Sequence, residues 1–98
     1  MNHSDEAKFV LKLFITGRST RSEAAIRTLN RLCNEELGGA YVLEIVDVLE
    51  QPEEAERGRI LATPTVVKEL PPPIRKVIGD LSDKEKVLIG LDLEPVAN

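Results

Sequence analysis

The sequence contains few of the residues on which recognition and catalytic chemistry usually depend. Aromatic residues make up 3% of its 98 positions and tryptophan is absent, which argues against the stacking surfaces of single-strand nucleic-acid binders. One cysteine cannot form an internal disulfide, as expected in a reducing, intracellular compartment. The one histidine, His3, stands near the N-terminus without a second histidine or cysteine beside it, so we predict no zinc site and no cofactor.

Long apolar runs and an excess of positive charge are also absent. No apolar run approaches the roughly 20 residues that a bilayer-spanning helix needs, and the opening "MNHSDEAK" lacks the pattern of a signal peptide. A net charge of −4 argues against general binding to nucleic-acid phosphates. With 42% hydrophobic and 31% charged residues, we expect one soluble cytoplasmic domain that spans residues 1–98, without nucleic-acid or membrane partners.

The first half predicts a parallel strand–helix–strand unit. Apolar residues occupy both faces of the alternating segment 8–15, which is typical of a central strand covered on both sides. Thr20 and Glu23 have the spacing of a capping box that opens a helix, and the Gly-Gly pair 38–39 ends it. Residues 41–49 form a near-continuous apolar run, typical of a second buried strand. Such a unit is right-handed.

The predicted helix carries an apolar inner face. Its members are Ile26, Leu29, Cys33 and Leu37, flanked by Ala25 and Leu32. This position makes Cys33 a core residue rather than a reactive thiol. In the loop before the helix, "TGRSTRS", backbone amides with Arg18 and Arg21 could bind an anion. Because the loop lacks a nucleotide-binding glycine and lysine pattern, a solvated turn is the favoured interpretation.

The second half begins with a short helix and a strand. Pro52 suits the first turn of a helix and Gly58 lies within or at its end. The branched run in 62–67, which contains Pro64, predicts a strand. Four glutamates at positions 50–56 are better explained by an acidic surface helix than by acid–base catalysis. The segment 57–76 is mostly basic, which suits either a solvated surface or a face that docks an acidic partner.

The next two segments satisfy the helix and the strand period equally. In the first, helical spacing relates Ile74, Val77, Ile78 and Leu81, whereas β-branched residues and Gly79 favour a strand. In the second, Ser82 and Glu85 have capping-box spacing, and a helical stripe comprises Lys84, Val87, Leu88 and Leu91. The residues Val87, Ile89, Leu91 and Leu93 of the same segment alternate as in a strand. Pro71, Pro72 and Pro73 precede both segments. Pattern alone leaves both structures open, with two alternative packings as a rare third reading.

The order of these elements, with Thr63-Pro64 before the third strand, resembles the thioredoxin-like fold, in which this proline is commonly cis. Redox members of that fold need a Cys-x-x-Cys motif at the first helix, where a helix N-terminus stabilises the thiolate. The loop "TGRSTRS" has no cysteine. We therefore predict no redox activity and find no other catalytic set, so that a binding protein is the better interpretation than an enzyme.

The blocks "ATPT", "LPPP", "IGDLS" and "KVLIGLDL", in this register, closely resemble the KaiB family of circadian clock proteins over about residues 8–93. The resemblance implies two folds with a common βαβ half: a resting βαββααβ homo-oligomer, usually a tetramer, and a monomeric thioredoxin-like βαβαββα form. The second form binds the N-terminal ATPase ring of KaiC, displaces SasA, captures KaiA or CikA and promotes KaiC dephosphorylation. It also implies that 74–81 is helical at rest and a strand when switched, while 84–93 does the reverse.

The same resemblance implies site residues. Arg59, Lys68, Arg75 and Lys76 match positions that contact KaiC. The fold-switch positions are Gly90 and Asp92, with Pro64, Pro71, Pro72 and Pro73 at the boundaries. From helix propensity, Gly90→Ala is expected to favour the switched form by about 1 kcal/mol. Glu44 matches the edge that docks KaiA or CikA, where members often have lysine, and Ala24 replaces a frequent arginine. These departures favour, as the alternative, a homologue in a system that lacks KaiA and serves a stress response.

Overall fold

The computed structural model describes residues 8–93 and contains four strands and three helices within that range. In chain order they are β1 (Phe9–Ile15), α1 (Thr20–Glu36), β2 (Tyr41–Asp47), α2 (Pro52–Gly58), β3 (Thr65–Leu70), β4 (Arg75–Ile78) and α3 (Lys84–Gly90). The strands form one sheet in the order β2-β1-β3-β4. β1 and β2 are parallel, and the other neighbours are antiparallel. The predicted βαβ unit is therefore confirmed. No helix in 8–93 is long and apolar enough to cross a membrane.

β1 lies in the middle of the sheet and is covered on both sides, as its double-faced apolar pattern predicts. Leu11 and Leu13 belong to the larger core, on the side of α1 and α3. Phe14 lies on the other side in a smaller cluster with Val46 and Val67. Helix residues that complete the larger core, all buried, are Ala25, Leu29, Leu32 and Cys33 of α1 and Val87 and Leu88 of α3. The predicted inner face of α1 is confirmed, with Ile26 at its half-buried margin.

Helix α1 begins one residue earlier than its predicted capping box. The N-cap is Ser19, whose backbone is extended and whose hydroxyl oxygen accepts a hydrogen bond from the Ser22 amide at 3.1 Å. Thr20 is the first helical residue, so the predicted Thr20–Glu23 box is wrong. The Glu23 carboxylate instead accepts a hydrogen bond from the Arg18 guanidinium at 2.8 Å. Both hydroxyl residues can cap a helix, and the sequence pattern does not distinguish between them.

Strand β3 begins directly after Pro64, in agreement with the branched run that the sequence places behind this proline. Residues 62–64 form the turn that leads into it, and the Thr65 hydroxyl donates to the Ala62 carbonyl at 2.7 Å. A proline has no amide hydrogen for the strand ladder, so the regular pairing with β1 starts at Thr65. The Thr63–Pro64 peptide bond is cis, as are Leu70–Pro71 and Pro72–Pro73.

The two ambiguous segments adopt the strand-then-helix arrangement. Residues 75–78 are β4 and residues 84–90 are α3. Asp83 caps α3 by accepting hydrogen bonds from the amides of Glu85 and Lys86 at 3.0 and 3.3 Å. The predicted cap, Ser82, is therefore wrong by one residue. Its hydroxyl donates to Asp80 at 2.6 Å instead.

Helix α3 ends in a Schellman motif, the double hydrogen-bonded closure common at helix C-termini. The Leu93 amide donates to the Leu88 carbonyl at 2.9 Å, and the Asp92 amide to the Ile89 carbonyl at 3.1 Å. The motif places Asp92 in the left-handed region, with φ 56°, and its accompanying apolar pair, Leu88 and Leu93, is buried. The described chain thus has the element order βαβαββα.

Candidate docking site

A groove of about 320 Å³ lies on the α2 side of the sheet, between α2 and the strands β3 and β4. Phe14 and Val67 are the apolar side chains of the strands that line it, and Ile74 lines it from the segment just before β4. Basic residues also line it, namely Arg57, Arg59 and Lys76. The groove thus combines an apolar lining with positive charge in a chain whose net charge is −4.

The end of α2 positions Lys76. The Lys76 ammonium donates a hydrogen bond to the Gly58 carbonyl at 2.8 Å. Gly58 is the last residue of α2, and the unpaired carbonyls of a helix C-terminus favour a positive charge. This contact joins β4 to α2 while leaving Lys76 exposed.

Arg59 has an unusual backbone for an arginine. It caps α2 with φ 55° and ψ 46°, in the left-handed region that favours glycine. Its side chain is exposed, and none of the ion pairs found within residues 8–93 involves it. The position is thus costly for the backbone and leaves the guanidinium facing solvent.

The other charges of the groove are paired with each other. Arg57 forms an ion pair with Glu54. The Lys12 ammonium lies 3.5 Å from the Glu54 carboxylate, 3.6 Å from that of Glu69 and 3.9 Å from that of Glu44. Burial alone would lower the pKa of Lys12, but the carboxylates of Glu69, Glu44 and Glu54 outweigh it, so its pKa lies above the ordinary value. Arg59 and Lys76 are therefore the groove cations that no carboxylate of residues 8–93 neutralises.

The four basic residues that the family resemblance assigns to the contact with KaiC do not share one surface. Arg59 and Lys76 line the groove. Arg75 is exposed but, as the strand neighbour of Lys76, it points to the opposite face of the sheet. Lys68 is only 1% exposed and faces the same side as buried Val66. In this fold the Lys68 side chain is thus not available to a partner.

The predicted fold-switch positions lie at the junctions of the second half. Pro64 precedes β3, and Pro71, Pro72 and Pro73 lie in the connection between β3 and β4. Gly90 is the last residue of α3 and packs against Val77 of β4, so closely that an added Cβ would lie 2.5 Å from Val77 Cγ2. A clash with Val77 therefore opposes the stabilisation expected for Gly90→Ala. Helix propensity favours the substitution, whereas the close approach of Val77 disfavours it.

The expected docking edge is an edge strand in the structure. Among the strands of residues 8–93, β2 has a neighbour on one side only. Glu44 pairs in register with Lys12 of β1, and its side chain is 54% exposed. A partner strand could therefore pair with β2 and meet the Glu44 carboxylate.

The remaining candidate sites have structural explanations. Cys33 is fully buried, and burial raises the pKa of its thiol to about 12, so it stays protonated and unreactive at neutral pH. Arg18, a candidate for anion binding, is already engaged by Glu23. No group of three His, Cys, Asp or Glu residues within 8–93 could hold a metal ion, and His3 lies outside the described residues.

Reasoning from the sequence missed the apolar part of the groove and Arg57 as a groove residue. Phe14 reads as an ordinary member of a central strand, and Ile74 as a member of an ambiguous pattern. Only the packing of α2 beside β3 and β4 brings them together. The one usable signal is Gly58-Arg59 directly after a short acidic helix, because it marks a helix end that presents a basic side chain.

Comparisons with known proteins agree on family and fold. The KaiB domain model matches residues 12–93. The chain is 54% identical to circadian clock protein KaiB3 of Synechocystis sp. over 93% of this chain and 89% of that protein. It is 56% identical to circadian clock oscillator protein KaiB of Cyanothece sp. over 87% of this chain and 81% of that protein.

Solved structures show a thioredoxin-like fold. The N-terminal domain of Synechococcus elongatus SasA superposes with a TM-score of 0.71 at 23% identity, covering 88% of this chain and 85% of that domain. Mitochondrial thioredoxin 3 of Saccharomyces cerevisiae gives a TM-score of 0.71 at 18% identity, covering 91% and 81%. These likenesses establish the α/β thioredoxin-like architecture, whereas the sequence relatives establish that the chain is a member of the KaiB family of circadian clock proteins.

Proposed function

We propose that the chain is a non-enzymatic clock regulator that binds the N-terminal ATPase ring of KaiC in the fold described here. The observation that carries the proposal is the shared fold of this KaiB-family chain and the SasA N-terminal domain. Two proteins of one fold can compete for one site, so binding of this chain would displace SasA and promote KaiC dephosphorylation. Arg59 and Lys76 lie together on the α2 side and form the proposed contact with KaiC.

We further propose that the described fold alternates with a resting homo-oligomer. Support comes from isoleucines that the present arrangement leaves in solvent: Ile74 is 64% exposed, Ile78 58% and Ile89 79%. Ile74 and Ile78 fit the helical pattern of 74–81, whereas Ile89 fits the strand pattern of 84–93. Each isoleucine therefore fits the periodicity, helical or strand, that its segment does not adopt in the described structure. A second packing that exchanges strand and helix in these segments would use those patterns.

The β2 edge is the proposed docking site for KaiA or CikA, where the host has them. Strand addition at an exposed edge is a common mode of recognition. Glu44 places a negative charge on this edge where members often have lysine, and this favours a second candidate, a KaiA-less system with a role in stress or timing. Binding of KaiA from a cyanobacterial KaiABC system to the wild type and to Glu44→Lys distinguishes the two, since the second candidate predicts binding by neither or by the variant alone.

The proposal is tested by incubating the purified chain with its cognate KaiC and ATP for several hours before size-exclusion chromatography. We expect a complex whose amount grows slowly, because a resting oligomer must first dissociate and refold. Adding the SasA N-terminal domain should reduce the amount of complex. The proposal is wrong if no complex forms at any ratio tested.

A competing assignment to thioredoxin-like redox enzymes has little support in the site. The cysteine is buried, with a raised pKa, and the loop before α1 contains none. A thiol–disulfide exchange assay on the wild type and on Cys33→Ser should give the same background rate.

A further inference from the structure

We propose that the groove between α2 and β3–β4 receives an acidic segment of the partner that also carries an apolar side chain. The apolar side chain would contact the exposed Ile74, in the groove that Phe14 and Val67 also line. Its neighbouring carboxylates would pair with Arg59 and Lys76. This inference rests on the proposed function and specifies what the partner presents to this chain.

The charges of the groove define the sign of the occupant. Glu54 and Glu69 also line it, but their carboxylates are occupied by Lys12, and Glu54 by Arg57 as well. The ammonium of Lys76 is held by a neutral carbonyl, so its charge is not cancelled. With Arg59 exposed beside it, the groove presents two uncompensated positive charges in a chain of net charge −4. A carboxylate-bearing segment is the complementary occupant.

The backbone of Arg59 gives a second, independent indication. A left-handed residue at a helix end is usually glycine, because side chains are strained there. Retaining arginine at φ 55° disfavours the fold, and no ion pair within 8–93 offsets this cost. The exposed Arg59 guanidinium is therefore available to pair with a carboxylate of the partner.

The apolar lining of the groove indicates that its occupant carries an apolar side chain as well as negative charge. Ile74 is 64% exposed, whereas Phe14 beneath it is 2% and Val67 6% exposed. An apolar side chain seated against Ile74 would cover the surface that the fold leaves open and exclude water from the neighbouring ion pairs. Exclusion of water strengthens such pairs.

The test measures the equilibrium affinity of the isolated N-terminal ATPase ring of cognate KaiC for variants in matched pairs. Lys76→Gln is compared with Lys86→Gln, an exposed lysine on α3. Ile74→Ser is compared with Ile89→Ser, another exposed isoleucine, on α3. Arg59→Gly removes the third groove contact while relieving the left-handed backbone, so its melting temperature should equal or exceed that of the wild type. Each apparent Kd is corrected for the monomer fraction of the same sample, because the population of the competent form scales the apparent affinity.

The three groove variants should each weaken ring binding about tenfold, the loss typical of a charge-assisted hydrogen bond or a buried apolar contact. The two controls should stay within about twofold of the wild type. Added salt should weaken the wild type more than Arg59→Gly, because the variant has one ion pair fewer to screen. If the ring binds the wild type but the groove variants match their controls, the groove assignment is wrong and the proposed function stands. If the ring binds neither the wild type nor any variant, the proposed function itself is wrong.

Discussion

The close packing of α3 on β4 gives the sharpest test of the fold. Gly90 ends α3, and a Cβ built there would lie 2.5 Å from Cγ2 of Val77, while the other Val77 carbons would be at 3.8 Å or more. A single methyl group of a half-buried valine therefore sets the cost of a side chain at position 90. Val77→Ala removes both γ-methyl groups of this residue, Cγ2 among them, and should convert Gly90→Ala from an opposed into a favourable substitution.

Two effects of opposite sign determine the magnitude. Replacing a helical glycine by alanine contributes about 1 kcal/mol to stability through helix propensity. Forcing a methyl group into an occupied space costs about 1–3 kcal/mol. In the wild-type background Gly90→Ala should therefore range from neutral to destabilising by about 2 kcal/mol. In the Val77→Ala background only the favourable one remains, so the coupling free energy between the two substitutions should be about 1–3 kcal/mol.

The assay is a double-mutant cycle of urea unfolding on the wild type, Gly90→Ala, Val77→Ala and the double variant. Samples are first separated by size exclusion, so that only monomer enters the analysis, and two spectroscopic probes verify two-state unfolding. Thermal unfolding gives a second readout, since 1 kcal/mol shifts the melting temperature of a domain of this size by about 4–8 °C.

A matched control places the substitution elsewhere on the same helix. Ile89→Ala lies beside Gly90 in sequence but its side chain is 79% exposed, so its coupling to Val77→Ala should be about zero. The reasoning is refuted if the coupling between positions 77 and 90 falls below about 0.5 kcal/mol, the usual limit of additivity. Helix propensity alone would then describe Gly90.

Three further predictions concern the end of α3, its attachment to α1, and the core thiol. Asp92→Asn should raise the free energy of unfolding by about 0.3–1 kcal/mol in urea titration, because it removes a negative charge from a helix C-terminus and asparagine tolerates the left-handed backbone; an unchanged or lower value contradicts this. Lys84 donates to Glu36 and Glu35 of α1 at 2.7 and 3.0 Å, which raises the pKa of Lys84 and lowers that of Glu35. Lys84→Gln should therefore be less stable than the wild type at neutral pH, with a deficit that shrinks as pH falls below 4.5 or rises above 10.5; a constant deficit would show a packing effect instead. Cys33, with its pKa raised to about 12 by burial, should react with a thiol reagent only in denaturant at pH 8, and rapid labelling of the native chain would contradict its core placement.

The sequence predicts the βαβ half of the fold well because that half depends on local periodicity. The two-sided apolar pattern of 8–15 can be satisfied only by a strand with layers on both faces, and β1 has that position. The errors are confined to boundaries. Ser19 replaces Thr20 as a cap and Asp83 replaces Ser82, because adjacent residues of similar capping ability differ only in the backbone angles that tertiary packing selects.

The candidate site could be predicted only in part, because it is assembled from distant segments. Arg59 and Lys76 follow from the basic segment, but their separation from Arg75 depends on the alternation of a strand that the pattern leaves undecided. Lys68 reads as a surface charge in a run of charges, yet it is 1% exposed. Its burial follows from the position of β3 inside the sheet, between β1 and β4.

The double periodicity of residues 74–93 has a physical counterpart in the structure. Strand β4 buries Val77 only in part and leaves Ile78 in solvent, and Ile74, just before the strand, is also exposed. Helix α3 buries Val87 and Leu88 but leaves Ile89 in solvent. Fully burying one such side chain contributes about 1.5–3 kcal/mol, so another packing that covered even part of the three isoleucines would recover a few kcal/mol. That is the size of the gap between two packings of one sequence in fold-switching proteins. The ambiguity of the pattern therefore follows from the composition of the segment, which contains more apolar residues than the described arrangement buries.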